Sequence, residues 1–209
     1  MNLEELGRRF ARFTTNVVVR NPRLWAPLRP LMRTQFERLA PRWDDMRSPQ
    51  SLAPFEAALA RVDGVPAHAL DLGTGTGEGV FAIARRFPGV EVVGVDLAEA
   101  MVERARRKTP AELADRVRFE VADASRLPYA DESFDLVAHA NMIPFFDELD
   151  RVLAPRGTVF FAFSGGAETP IYVPPQTLRE QLGRRGFTDF AEISAGNGTA
   201  LLARKPAAA

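Results

Sequence analysis

Three alternate glycines, Gly73, Gly75 and Gly77, stand between a short apolar run that ends at Leu72 and a helical stretch that begins near Glu78. A glycine has no Cβ, so the backbone can turn sharply and approach a ligand closely. The free N–H groups of the following helix then attract an electron-rich group such as a carboxylate or phosphate. No Gly-Lys-Ser/Thr follows, so the lysine and magnesium-binding hydroxyl of phosphoryl chemistry are missing. Three carboxylates recur around this loop. Asp71, two residues before Gly73, is placed to brace the loop or to face a cation through water. Asp96 ends a second apolar run nineteen residues after Gly77, where an acid can accept hydrogen bonds from both hydroxyls of a ribose. Asp123, with Ala124 beside it, ends a third run and could accept from the amino group of an adenine. His139 is the candidate to take a proton from an acceptor hydroxyl, its alternative being a hydrogen-bonded structural group. His68 lies at the other end of its strand from the ligand-binding carboxyl edge and reads as structural.

The elements that must position these residues alternate from about residue 52 onward. Runs 67–72, 90–95, 117–121, 134–138 and 158–163 are short and mostly apolar, as buried parallel strands are. Helical stretches at about 77–87, 98–108 and 144–153 are long enough for crossovers. After a helix at 175–185, runs 187–193 and 199–204 flank the turn-rich Ser194 to Gly198, which predicts an antiparallel hairpin. The pattern is a largely parallel sheet with helices on both faces.

Composition narrows the chemistry. The 209 residues suffice for one substantial core with a small appendage, and their 46% hydrophobic and 26% charged content is that of a globular protein. There is no cysteine, and two scattered histidines make a zinc centre improbable, so no metal is expected. A net charge of zero opposes nucleic-acid binding, whose affinity comes from phosphate neutralisation. No apolar run spans a bilayer and the start Met1–Glu5 is acidic, which predicts a cytoplasmic protein. Charge is nonetheless uneven. Residues 1–48 hold ten arginines against Glu4, Glu5, Glu37, Asp44 and Asp45. This surplus, with the change of pattern, predicts an N-terminal helical cap over 1–48, a boundary near Pro49 and a ligand-binding domain over 49–209. The alanine-rich tail after Pro206 is expected to fray.

Together these motifs resemble the class I S-adenosylmethionine-dependent methyltransferases over roughly residues 52–205. Leu70-Asp71-Leu72-Gly73-Thr74-Gly75-Thr76-Gly77 is similar to that family's first motif, and Val93 to Met101 to its second-strand acidic motif. Val121-Ala122-Asp123-Ala124, Ser133 to Val137 and Leu149 to Gly157 resemble its later strands. The resemblance implies a Rossmann-like α/β three-layer sandwich with a seven-stranded, mostly parallel sheet in the order 3-2-1-4-5-7-6 and one antiparallel strand. It implies S-adenosylmethionine as cofactor, S-adenosylhomocysteine as product and methyl transfer as activity. Asp71, Gly73, Thr74, Gly75 and Gly77 would hold the methionine portion, Asp96 the ribose, Leu97 and Met101 the adenine faces, and Asp123 and Ala124 the adenine edge. Arg156 departs from the family, standing where its Pro-Gly-Gly turn has glycine. The stretch Ala138 to Ile143 lacks the aromatic or histidine pair often found there.

A sulfonium is already an activated methyl donor, so geometry carries most of the catalysis and a general base is optional. The short connection Ser164 to Pro174 leaves the N-terminal segment to cover the site. Its Phe10, Phe13, Trp25, Phe36 and Trp43, interleaved with arginines, predict one or two amphipathic helices over the carboxyl edge of the sheet. Trp43 or Asp44 and, after the fourth strand, Asn141 are the candidate acceptor-binding residues. The acceptor is expected to be a small molecule. Transient contact with a membrane surface is motivated by Thr15 to Arg20 and the basic surplus. Two other functions fit parts of the pattern. A non-catalytic protein could keep the cofactor site without turnover. A nicotinamide-dependent oxidoreductase would share the loop and the ribose acid, but calls for Gly-x-Gly-x-x-Gly and a second nucleotide-binding half.

Overall fold

The computed structural model describes residues 3–48 and 50–207. Pro49, where the sequence places the appendage boundary, lies outside the described residues, as do Ala208 and Ala209 of the tail.

Seven strands form one sheet: β1 (His68–Leu72), β2 (Glu91–Asp96), β3 (Val117–Val121), β4 (Phe134–Ala140), β5 (Leu153–Phe163), β6 (Thr188–Ala195) and β7 (Gly198–Arg204). Their order is β3-β2-β1-β4-β5-β7-β6. Pairings from β3 through β5 are parallel, and β7 runs antiparallel to both β5 and β6. The strands are apolar throughout because both faces are covered. Leu70, Val93, Val137, Val159 and Phe161 point to one face, where α6 (Phe146–Val152) and α7 (Pro175–Gly183) bury Leu149, Val152, Leu178 and Leu182. Ala69, Val92, Leu136 and Phe160 point to the other, against α4 (Glu78–Arg86) and α5 (Glu99–Lys108). A further helix on that face, α3 (Ala53–Leu59), was not expected from the sequence; its seven residues give too little of a 3.6-residue period to read. Phe55 of α3 is fully buried, edge-on to Phe160.

β5 begins at Leu153, five residues before the expected start. Phe134 pairs with Leu153 but Leu136 with Thr158, so the extra residues form a bulge in which Arg156 takes φ +65°.

The N-terminal segment forms α1 (Leu3–Arg20) and α2 (Trp25–Leu39), joined by a single 3₁₀ turn that Asn21 caps by accepting from the Arg23 N–H. Ala11, Val18, Trp25 and Met32 are buried and extend the first core. Phe10 and Phe36 pack partly buried against it, whereas Phe13 is 58% exposed and does not join the packing. Thr15 and Val18 are buried as well, so the stretch Thr15 to Arg20 turns one side to the core and leaves Asn16 and Arg20 exposed. Among the described residues no helix is long and apolar enough to cross a membrane.

Candidate functional site

The glycine loop sits at the carboxyl ends of β1 and β2, with the Thr74 N–H donating to the Val95 carbonyl at 2.9 Å. Gly73, Gly75 and Gly77 all have positive φ, of +69°, +55° and +94°. At Gly73 an added Cβ would lie 2.6 Å from Cγ of Met142, and at Gly75 3.1 Å from Nε1 of Trp43. The first two glycines therefore face the space beneath the N-terminal helices. Gly77 differs. Its missing Cβ would meet Phe119 and Phe81 at about 3 Å, so it serves the close packing of α4 on the sheet and lines neither cavity described below.

Asp96 binds the loop directly. Its carboxylate accepts from the Gly75 N–H and from the Ala98 N–H, both at 2.9 Å. Burial pushes this carboxyl up to about 6 against the lowering pull of those N–H groups. Asp71 is 1% exposed, and Oδ1 has no hydrogen-bond partner among the described residues. Desolvation raises it to about 7, opposed in part by the nearby Thr74 hydroxyl and then by the positive charge of Arg47.

Two abutting cavities of about 90 and about 210 Å3 open around this loop, sharing Gly73, Gly75, Trp43 and Asn141 in their walls. The smaller one is bounded by Asp96, Leu97, Met101 and Ala124. The larger one reaches Asp71, Thr74, Arg8 and Arg47. Asn141, at φ +53°, is fixed by Ser164: its Oδ1 accepts from the Ser164 N–H at 2.9 Å and its Nδ2 donates to the Ser164 hydroxyl at 3.1 Å.

Trp25, Met32, Phe36 and Trp43 roof the smaller cavity. Three carboxylates, Asp44, Glu37 and Asp123, tie this roof to the elements after β1, β2 and β3. Asp44 accepts from the Thr76 hydroxyl at 2.5 Å and from Lys108 at 3.0 Å, and Lys108 also donates to Glu78 at 2.7 Å. Partial burial would raise the Asp44 carboxyl, but the hydrogen bonds from Thr76, Lys108 and Arg104 outweigh it and hold the group below the usual range. Asp44 is thus a latch and stands apart from the cavity walls. Glu37 of α2 caps α5, its two oxygens accepting from the Glu99 and Ala100 N–H groups at 2.8 and 3.0 Å. The helix needs this partner because its own N-cap, Ala98, has no side-chain acceptor. That missing capping residue signals in the sequence that α5 takes a partner from elsewhere, without pointing to Glu37.

Two of the candidate residues stand away from the cavities. Asp123 faces the roof, accepting from Trp25 Nε1 at 2.9 Å and from Arg29 at 2.8 Å, and lines neither cavity. His139 is 1% exposed on the opposite face of the sheet from Asp71, 4.6 Å between centroids from the Phe161 ring, and also lines neither cavity. Burial lowers the imidazole to about 3, so it is neutral, and both its nitrogens lack a partner among the described residues. The strand's two-residue alternation sends it into the packed layer with Val137.

With this geometry in place, residues 69–157 match a family described as the methyltransferase domain. The glycine loop, Asp96 and Ala124 thus lie in a segment similar to a methyltransferase domain. The chain is 36% identical over 165 residues to the malonyl-acyl-carrier-protein O-methyltransferase of Halorhodospira halophila, a match covering 74% of this chain and 52% of the relative. It is 39% identical over 137 residues to the demethylmenaquinone methyltransferase of Thermus thermophilus, covering 58% of this chain and 60% of the relative. The chain thus spans about half to three fifths of the length of these curated relatives. Its fold matches the solved structure of a SAM-dependent methyltransferase from Aquifex aeolicus with a TM-score of 0.66 at 17% identity, covering 79% of this chain and 97% of that one.

Proposed function

We propose that this chain transfers the methyl group of S-adenosylmethionine to a small acceptor in the cavity pair beneath the helical roof. The observation that carries this reading is the meeting, around two abutting cavities, of a glycine cradle, the loop-bound Asp96 and the unpartnered buried oxygen of Asp71. The residues present suit the cofactor. Gly73, Thr74 and Gly75 offer backbone to the methionine portion, and Asp71 offers an anionic partner to its ammonium. Asp96 keeps unused lone pairs for the ribose hydroxyls, while Leu97, Met101 and Ala124 bound an apolar slot for the adenine. Asp123 we assign to holding the roof over that slot, and Gly77 to helix packing.

When bound, the cofactor supplies a methyl group already activated by its sulfonium. The protein's part is to orient and to exclude water. Holding an acceptor in line is worth up to about 7 to 11 kcal/mol in ideal cases. Trp43 and Asn141 stand in the wall common to both cavities and are assigned to the acceptor side. No proton transfer is assigned to His139, since its neutral ring is sealed in the core. The relatives named above act on a malonyl-carrier conjugate and on a quinone precursor, which supports a small organic acceptor group and leaves its identity to experiment. We treat residues 1–48 as the cap and 49–209 as the catalytic domain, and place the enzyme in the cytoplasm, in keeping with a chain without cysteine.

Isothermal titration tests the reading. S-adenosylmethionine and S-adenosylhomocysteine should bind one per chain and NAD should not. Asp96→Ala should weaken both by about 1 to 3 kcal/mol through the lost ribose hydrogen bonds. Binding of NAD alone, or unchanged affinity in the variant, would overturn it. Release of S-adenosylhomocysteine with a panel of acceptors separates an enzyme from a protein that only binds the cofactor.

A further inference from the structure

The outer side of the α1–α2 hairpin has no role in the site, yet its composition is unusual. Seven large hydrophobic side chains are exposed among the described residues, and four of them, Leu6, Phe13, Leu24 and Leu31, lie on this hairpin at 51, 58, 41 and 57% exposure. Isolated exposed leucines need no explanation, but these are ordered. Leu6 and Phe13 are seven residues apart on α1, Leu24 and Leu31 seven apart on the second arm, so each pair forms an outward stripe. Gln35 donates to the Gly7 carbonyl at 3.1 Å, which sets the arms antiparallel and brings Phe13 and Leu31 to a similar height.

Arginines flank both stripes. Arg20 and Arg23 are exposed at the hairpin turn and Arg38 and Arg42 at the far end of the second arm, and none of the four forms an ion pair among the described residues. Their neighbours on the inner side are already committed, Arg29 to Asp123 and Arg33 to Glu37. An exposed surface of Leu and Phe stripes framed by uncompensated arginines has the chemistry of a helix pair lying in a bilayer interface.

We propose that the outer face of the α1–α2 hairpin docks reversibly on an anionic lipid surface. Phe13 and Leu31 enter the headgroup boundary, and Arg20, Arg23, Arg38 and Arg42 meet lipid phosphates and carboxylates. Other occupants fit less well. A two-fold contact between copies of this chain would set arginine rows against each other. A nucleic acid would use the arginines but leave the apolar stripes in water. The docking is peripheral, since no described helix is long and apolar enough to cross a membrane. The inner side of the same hairpin roofs the smaller cavity, so docking brings that cavity within about one helix diameter, about 10 Å, of the lipid. The proposal stands on the surface alone and does not depend on the methyl acceptor.

Co-sedimentation of the full chain with vesicles tests it, using phosphatidylcholine alone and phosphatidylcholine mixed with phosphatidylglycerol. The protein should pellet with the anionic vesicles at low salt, be released at high salt and stay in solution with the neutral ones. Phe13→Ser with Leu31→Ser, and separately Arg20→Glu with Arg23→Glu, should each reduce pelleting severalfold while circular dichroism and S-adenosylmethionine affinity stay at the parent values. Failure to pellet with anionic vesicles, equal pelleting with neutral ones, or full pelleting of both variants would overturn the proposal. So would salt-sensitive binding to soluble polyglutamate without vesicle binding, which would point to an acidic protein instead.

Discussion

Asp71 is fully buried with its Oδ2 packed beside Gly79, and the loss of hydration of its charged form raises the carboxyl to about 7. In the free protein it is therefore largely protonated at pH 6, and an arriving ammonium group favours the ionised form. Cofactor binding should then release a proton from Asp71, with a smaller share from Asp96 near its value of about 6. Affinity should rise with pH up to about 7 and level off above it. Titration at pH 6 in two buffers of different ionisation enthalpy measures this release directly. Asp71→Asn should reduce it, and heats independent of buffer would contradict the assignment. The same shift bears on folding. A carboxyl whose folded value lies above its unfolded one favours the native state only when protonated, so that contribution is lost as pH rises from about 3.8 through 7. The glycines and Asp96 were legible in the sequence because sterics and spacing restrict what can stand there. The protonation of Asp71 was not, because it depends on how completely the assembled fold buries the carboxyl.

At the level of elements, the strand order and the closing hairpin follow from alternation of apolar runs and from the family resemblance, and the misjudged boundary is informative. β5 starts early because its first residues pair with β4 across a bulge, and the bulge forces Arg156 into the left-handed region at φ +65°. An L-residue there is strained by about 1 to 2 kcal/mol, and the Arg156 side chain is exposed. Arg156→Gly removes the strain and gives back part of the gain through the greater freedom of glycine in the unfolded chain. Net stabilisation of up to about 1 kcal/mol is expected, read as a higher urea midpoint at unchanged slope. A lower midpoint would mean that the arginine makes a compensating contact. Here the departure from the family glycine was visible in the sequence, while the conformation that makes it matter was visible only in the fold.

For the whole molecule, the decisive relation is between the roof and the three loops it touches. Asp44 grips Thr76 and Lys108 beside the glycine loop, Glu37 caps α5 just after Asp96, and Trp25 and Arg29 hold Asp123 beyond β3. The sequence showed that an arginine-rich helical segment precedes the sheet, but its contacts join residues some 30 to 100 positions apart, beyond the reach of any local pattern. Because the loops at the roof's feet are those that line the cofactor cavity, opening the roof and emptying the cavity should be linked. Each latch involves charge at a helix end or a partly buried ion pair, with a helix-end charge worth about 0.3 to 1 kcal/mol at the surface. The double variant Glu37→Gln with Asp44→Asn should therefore speed amide hydrogen exchange in residues 25–46 by about tenfold, since about 1.4 kcal/mol of opening energy is a factor of ten. Exchange in β1 and β4 should not change, because their hydrogen bonds open only with the global fold. Saturating S-adenosylmethionine should slow exchange in residues 25–46 in both proteins, as binding to the closed form draws the equilibrium toward it. If the cofactor leaves that segment's exchange unaltered, the roof is a fixed part of the fold and cofactor entry must run through the larger cavity past Arg8 and Arg47.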